Sequence, residues 1–230
     1  MENYNGTISV HGKGSIHVVP DVTRLEVMVE SVFVDYETAY KQARENTLWM
    51  GKILEYNHLN KKQAKTIYFD ITDHLVDEYD ENDNYIGKTK DGFELRQRFK
   101  IDLDINNELL NKIVRGVGKF IKGAQINIGY TIRDPRPYQL KILERAVKDA
   151  HEKAELMAAA AGCKLGEVNS ITYGKQELTV HSQARFIHSN KEAMTCDANS
   201  LNIEPDDLVM SDNVDVSWNL VKIETSEKGL

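Results

Sequence analysis

The sequence predicts an α+β protein: an antiparallel sheet with long helices on one face and two similar strand–helix–strand halves. Apolar residues recur at every second position in seven segments, the pattern of strands that bury one face. Such strands pair antiparallel more often than they form a parallel sheet covered on both faces. Three segments with helical apolar spacing interrupt them, giving the order β-β-α-β-β-α-β-α-β-β.

The first predicted strand carries Gly12 and Gly14 in phase with its apolar residues, and a Pro20-Asp21 turn follows it. A glycine inside a strand indicates a bulge or the close approach of another backbone. The seven alternating segments cover residues 8–18, 25–33, 67–71, 93–105, 126–132, 168–173 and 214–220.

The first two predicted helices cover residues 36–56 and about 107–117. Asp35 is placed to cap the first helix, since an aspartate before an apolar stripe accepts hydrogen bonds from free backbone N–H groups. The expected buried stripe of this helix is Ala39, Ala43, Met50, Ile53 and Leu54.

The third predicted helix has the clearest boundaries. Asp134 is expected to cap it, Pro135 to occupy its first position and Gly162 to end it. Its small residues predict close approach to a sheet or a helix. The expected inner face is Leu140, Leu143, Val147, Ala150, Ala154, Met157 and Ala161.

One domain spanning residues 1–230 is expected, built on a single continuous sheet. Its strand–helix–strand halves, at about residues 22–105 and 123–224, indicate a pseudo-repeat. The first half continues to residue 132 in the order of a ferredoxin-like unit. A long loop at residues 174–207 lies outside this pattern, and a loop of that length is usually functional, mobile or an oligomer contact.

Charge and hydropathy exclude several classes of function. The chain has 230 residues and a net charge of −7, so it lacks the basic surface of a nucleic-acid binder. Its longest apolar run, residues 156–163, is too short for membrane insertion. The first residues do not resemble a signal peptide, which predicts a cytoplasmic protein, or a periplasmic one if a leader has been removed.

An acidic segment at residues 70–84 contains seven carboxylates and no Lys or Arg. We interpret it as the projecting tip of a hairpin with solvated charge. Asp80, Asn82 and Asn84 have the spacing of the first calcium ligands of an EF-hand. Tyr85 replaces the required glycine and Asp91 the final glutamate, so an EF-hand is not predicted.

The remaining candidate sites are equally weak, and we predict no catalytic, cofactor-binding or metal site. His151 and Glu155 are spaced to share a helix face, but the second histidine of a zinc-protease motif is missing. The glycines at 12 and 14 lie inside a strand, where they cannot cradle a phosphate. Cys163 and Cys196 are too few for a disulfide framework.

The most specific pattern in the chain lies in the third helix, where residues 146–155 read Ala-x-x-Asp-Ala-x-x-Lys-Ala-Glu. Four more features accompany it: the glycine strand with its Pro-Asp turn, Ala39 with Ala43 and Asn46, Gly162 with residues 165–168, and the closing strand 214–220. Together they resemble the SIMPL-domain family over nearly the whole chain.

This resemblance implies an α+β protein, and many members are bacterial envelope or periplasmic proteins that include large ring-like or channel-like oligomers. It supplies no catalytic residues. We therefore expect a non-enzymatic, self-assembling protein, a homo-oligomer that acts as a scaffold or in a stress- or envelope-related role. The first alternative is a module that binds a protein partner through residues 174–207 or 70–84. The second is an enzyme with an unrecognised site.

Overall fold

The computed structural model describes residues 6–174, 182–184 and 205–223. Within them lie eight strands and three α-helices. In chain order these are β1 (Thr7–Val18), β2 (Val22–Phe33), α1 (Tyr36–Tyr56), β3 (Lys65–Tyr79), β4 (Tyr85–Asp104), α2 (Asn107–Phe120), β5 (Ala124–Thr131), α3 (Arg136–Ala160), β6 (Cys163–Thr172), β7 (Ser182–Ala184) and β8 (Leu208–Lys222). None of the helices in these ranges has the length and apolarity that a membrane span requires.

The strands form two antiparallel sheets, not the single continuous sheet that the sequence predicts. The order β1-β8-β6, with α3, makes a three-stranded unit, and the order β3-β4-β2-β5-β7, with α1 and α2, makes a five-stranded unit. The predicted α+β class is confirmed, as are both strand–helix–strand runs, β2-α1-β3 and β5-α3-β6. The single domain over residues 1–230 stays a prediction.

The five-stranded unit has the predicted ferredoxin-like arrangement. Its elements β2-α1-β3-β4-α2-β5 place β2 and β4 in the centre of the sheet. Both helices pack on one face, because the apolar positions of the central strands alternate toward them. The core includes Leu25, Val27, Val29, Met50, Ile53, Leu54, Phe99, Ile101, Leu103, Leu110, Ile113, Val117, Ile128 and Tyr130.

The helix boundaries follow the sequence closely. The Asp35 carboxylate accepts a hydrogen bond of 2.8 Å from the Thr38 N–H, which confirms the predicted cap of α1. At α3, Asp134 accepts from the Arg136 N–H at 3.1 Å, but Pro135 occupies the cap position one residue before the helix. Helix α2 runs to Phe120, beyond the predicted end.

The inner face of α3 differs from the prediction. Leu140 and Met157 are 70% and 52% exposed, and Val147 is also exposed. Ala150 and Ala154 are buried as predicted, and the face toward the three-stranded sheet is completed by Ile142, Ala146 and Ala158. A glycine-bearing strand brings the helix so close that only small side chains fit along most of the contact.

The predicted loop at residues 174–207 lies outside the described residues, apart from positions 174, 182–184 and 205–207. The middle group forms β7, which pairs antiparallel with β5 through Ala184 opposite Ile128. A short strand therefore lies within the segment where the sequence predicts only a loop.

Candidate functional site

Side chains of α3 cap the outer edge of β1, the terminal strand of its sheet. The backbone N–H of Lys13 donates to Asp149 Oδ2 at 2.7 Å. The backbone carbonyl of Ser15 accepts from Arg145 at 2.7 Å, and that of His11 from Lys153 Nζ at 3.3 Å. An open strand edge is a template for pairing with another chain. The spacing of Asp and Lys in this helix thus satisfies and blocks one such edge.

Asp149 is the central group of this cap. The hydrogen bond from Lys153 Nζ, 2.6 Å long, and the one from the Lys13 N–H hold the pKa of the Asp149 carboxyl below its usual value. Both contacts favour the ionised form. The shift therefore has a structural cause in the fold of the three-stranded unit.

The glycines of β1 allow α3 to approach. A Cβ atom at Gly12 would meet the backbone carbonyl of Ala146 and lie 2.7 Å from the Ala150 Cβ. A Cβ at Gly14 would meet the carbonyl of Ile142. The close approach of another backbone, one of the predicted alternatives, is confirmed.

The outer edge of β3 is different, because no helix side chain caps it in the described part of the chain. This strand ends the five-stranded sheet and pairs there with β4 alone. Its side chains include several exposed apolar and aromatic residues, namely Ile67, Tyr68, Phe69, Leu75 and Tyr79. A long strand with a free edge and apolar side chains is a candidate surface for pairing with another chain.

The acidic segment forms the outer two-thirds of β3 and the turn of the β3–β4 hairpin, and part of its charge is compensated by residues of β4. Lys90 lies 2.7 Å from Asp73, and Lys88 lies 3.8 Å from Asp77. His74 Nδ1 lies 2.6 Å from Asp91. The two lysine partners lie on β4, after the segment in sequence but beside it in the hairpin.

Asp80, Asn82 and Asn84, which have the spacing of calcium ligands, form a turn at the tip of the hairpin. Asp80 Oδ1 accepts from the backbone N–H groups of Asn82 and Asn84, at 2.8 and 2.9 Å. These bonds, the one from Asn84 foremost, lower the pKa of the Asp80 carboxyl. The carboxylate is therefore committed to backbone donors, as in an Asx turn.

The other candidate residues singled out in the sequence do not converge on a site. His151 lies 3.8 Å from Glu155 and packs edge-on against Trp218. Among the described residues, no group of three or more His, Cys, Asp or Glu side chains is placed to hold a metal ion. Cys163 is buried, and Cys196 lies outside the described residues.

A depression of about 760 Å³ lies between the end of α1 and the start of α2. Its charged residues already have partners: Lys112 is 2.6 Å from Glu108, and Lys61 is 3.5 Å from Glu55. The lining residues are Glu55, Tyr56, Asn57, His58, Asn106, Glu108, Leu109 and Lys112. We assign no chemistry to it.

Comparison with known proteins agrees with the sequence motifs. Residues 8–218 match the SIMPL family, described as "Protein of unknown function (DUF541)". The chain is 26% identical over 167 residues to "Uncharacterized protein YggE" of Escherichia coli strain K12, and equally to the proteins of that name in E. coli O157:H7 and Shigella flexneri. The match covers 72% of this chain and 65% of each relative. Since the family match spans almost all the strands and helices described above, the chain belongs to the SIMPL family.

Proposed function

We propose that the protein is a non-enzymatic, self-assembling SIMPL protein in which the outer edge of β3 joins one copy to another. The main support for this proposal is the difference between the outer edges of β1 and β3. Three side chains of α3 cap the edge of β1, whereas the β3 edge has no such cap among the described residues. Phe69 and Leu75, 48% and 52% exposed, lie on this uncapped strand. Strand pairing would satisfy its backbone groups and cover these side chains.

The surroundings of the described titratable residues support a structural role. Displaced pKa values cluster at catalytic sites in enzymes. Here the lowered pKa of Asp35 follows from the Thr38 N–H and hydroxyl, and that of Glu108 from Lys112. The raised pKa of Tyr173 follows from its hydrogen bond to Asp212. These three shifts accompany a helix cap, an ion pair and a hydrogen bond from the end of β6 to β8, and burial alone raises the pKa of Tyr130. On these grounds we propose a scaffold, and the resemblance to the family suggests a stress- or envelope-related setting for it.

Light scattering coupled to size exclusion tests self-assembly. The mass should be a multiple of the 26.2 kDa chain. It should decrease when the protein is diluted below the dissociation constant of the oligomer. A single 26.2 kDa species at all micromolar concentrations would overturn the proposal.

A second candidate is a module that binds a protein partner through the hairpin tip. Tyr79 and Tyr85 are more than half exposed and stack edge-to-face at 5.9 Å, with the exposed Ile86 beside them. Exposed aromatic residues are frequent anchors of protein interfaces. Such a partner should be captured from lysate by the intact protein and lost when residues 78–86 are replaced by Asn-Gly.

As a control, the stability of the shortened protein is measured. It should be little changed, since the core of the five-stranded unit contains no residue of the tip. The shortened protein should unfold at a denaturant concentration close to that of the wild type. If it retains the partner, the tip is not the binding site.

A further inference from the structure

We infer that β3 pairs antiparallel with β3 of a second copy in one particular register, with Thr72 opposite Thr72 on a two-fold axis. The inference rests on the proposed self-assembly and adds the partner strand and the register. It follows from the regularity of β3, from the symmetry of such a pair and from the positions of its carboxylates.

The regular part of β3 runs from residue 68 to residue 79. Ile67 is an extra residue on this strand, because Thr66 pairs with Phe99 and Tyr68 with Arg98. The two later irregularities place their extra residues, Asp91 and Ile86, on β4 instead. Beyond Ile67, β3 therefore offers an uninterrupted outer edge.

Symmetry limits the registers that two such edges can adopt. If the helices of both copies lie on the same side of a shared sheet, the two-fold axis is perpendicular to it. Facing side chains must then lie on the same side, and side chains alternate along each strand. Each allowed register is consequently centred on one residue, which faces its own copy.

Carboxylates exclude most of these centres, since like charges directly opposite destabilise a pair. Centring on Asp70 or Asp73 places a carboxylate against itself. Centring on His74 places Asp70 against Glu78, and centring on Leu75 places Asp73 against Asp77. Registers centred on Asp77 or Glu78 are excluded for the same reason as those centred on Asp70 or Asp73, since each places a carboxylate against itself.

Among the remaining centres, Thr72 gives the longest overlap within the regular segment, residues 68–76. Centres at Ile71 and Val76 shorten it to residues 68–74 and 73–79. In the Thr72 register, Asp70 faces His74, whose Nδ1 also contacts Asp91, and this pairing occurs twice because of the symmetry. Phe69 faces Leu75 on the side of the sheet that carries Ile71, so two pairs of exposed apolar side chains become buried.

Engineered cysteines test the register in a background with Cys163→Ala and Cys196→Ser. Facing Cα atoms are about 4.5 or 5.5 Å apart in alternate pairs, both within the range of a disulfide. Thr72→Cys should form a homodimeric disulfide on mild oxidation. Neither Phe69→Cys nor Leu75→Cys alone should do so, since equal positions then lie roughly 20 Å apart. A mixture of these two proteins should form the mixed disulfide.

The pairs 72/72 and 69/75 alternate in hydrogen-bonding class, so at least one has the closer spacing that favours cross-linking. A second variant, Thr72→Lys, places two lysines face to face and should weaken association several-fold. Its matched control is Thr89→Lys, an exposed threonine on β4 away from the outer edge.

The outcomes separate the register from the proposed function. A wild-type oligomer that T72K leaves unchanged, with no T72C disulfide, overturns the register and leaves self-assembly standing. A monomeric wild type overturns both. Cross-linking by T72C and by the F69C–L75C mixture, with weakened association of T72K but not T89K, supports the register.

Discussion

The carboxylate of Asp149 accepts a hydrogen bond of 2.7 Å from the backbone N–H of Lys13, so a helix side chain takes the place of a neighbouring strand. Lys153 completes the arrangement by contacting both Asp149 and the carbonyl of His11. The Asp and the Lys of the most recognisable motif in the sequence therefore protect a strand edge. This device closes the β1 edge, and within the described residues no such device closes the β3 edge.

Removing the carboxylate should destabilise the protein. We expect Asp149→Ala to lower the free energy of unfolding by about 1–2 kcal/mol, because it removes charge-assisted hydrogen bonds from a partly exposed group. Urea unfolding monitored by tryptophan fluorescence measures the change. The matched control is Lys148→Ala, whose side chain is 77% exposed and 3.9 Å from Glu152. It should change stability by less than about 0.5 kcal/mol. Equal effects of the two substitutions would contradict the edge cap.

The same contact predicts a dependence on pH. The folded state lowers the pKa of Asp149, chiefly through Lys153, below the value of about 3.9 expected in the unfolded chain. Its contribution is present above the unfolded pKa and is lost as pH falls through the folded pKa. The stability difference between wild type and Asp149→Asn should be constant from about pH 7 to 5 and shrink below about pH 4. A difference that persists undiminished at pH 3 would speak against this origin.

Two glycine substitutions should act in opposite directions. Gly12→Ala places a Cβ against the Ala146 carbonyl, so we expect a loss of at least about 2 kcal/mol. Gly118 lies within α2, with open space where its Cβ would be. Gly118→Ala should therefore stabilise by about 0.5–1 kcal/mol. Thermal unfolding compares both variants with the wild type, and a harmless Gly12→Ala would refute the close approach of α3.

A buried polar network fixes α1 against β4. Asn46 and Gln97 are at most 2% exposed, and Gln97 also donates to Thr47 Oγ1 at 3.0 Å. Asn46→Leu should cost about 1–3 kcal/mol, because the Gln97 side-chain carbonyl loses its partner. Combining it with Gln97→Leu should recover part of that loss, because the amide left without its Asn46 partner is removed, while Gln42 and Thr47 each lose one hydrogen bond. Denaturant unfolding of the single and double variants checks this, and additive losses would contradict the coupling.

Strong local signals made most strands and both ends of α1 predictable. The alternation in β1 and the cap at Asp35 each involve neighbours in the sequence. The predicted inner face of α3 is confirmed at Ala150 and Ala154 and wrong at Leu140 and Met157, because apolar size alone does not identify the side of the helix that faces the sheet. The actual face is selected by Gly12 and Gly14, which lie more than a hundred residues away in the sequence.

The candidate site was harder to predict from the sequence, because it too depends on contacts between residues that are distant in the chain. Whether a strand edge is open depends on the order of strands in the sheet, which periodicity does not report. The charge balance of the hairpin likewise depends on the register that brings Lys88 to Asp77. The signal that came closest was the Asp149–Lys153 spacing, since both side chains lie on the same helix face.

Amide hydrogen exchange of β3 across a dilution series tests the central claim most directly. At concentrations where the protein is oligomeric, outward-facing amides of residues 68–76 should exchange slowly, and dilution to the monomer should speed them selectively. The amides of residues 111–117 in α2 serve as the internal reference, because they lie beyond the first turn and the helix supplies their hydrogen bonds at any concentration. Exchange of β3 that stays equally fast in the oligomer and the monomer would contradict assembly through this edge.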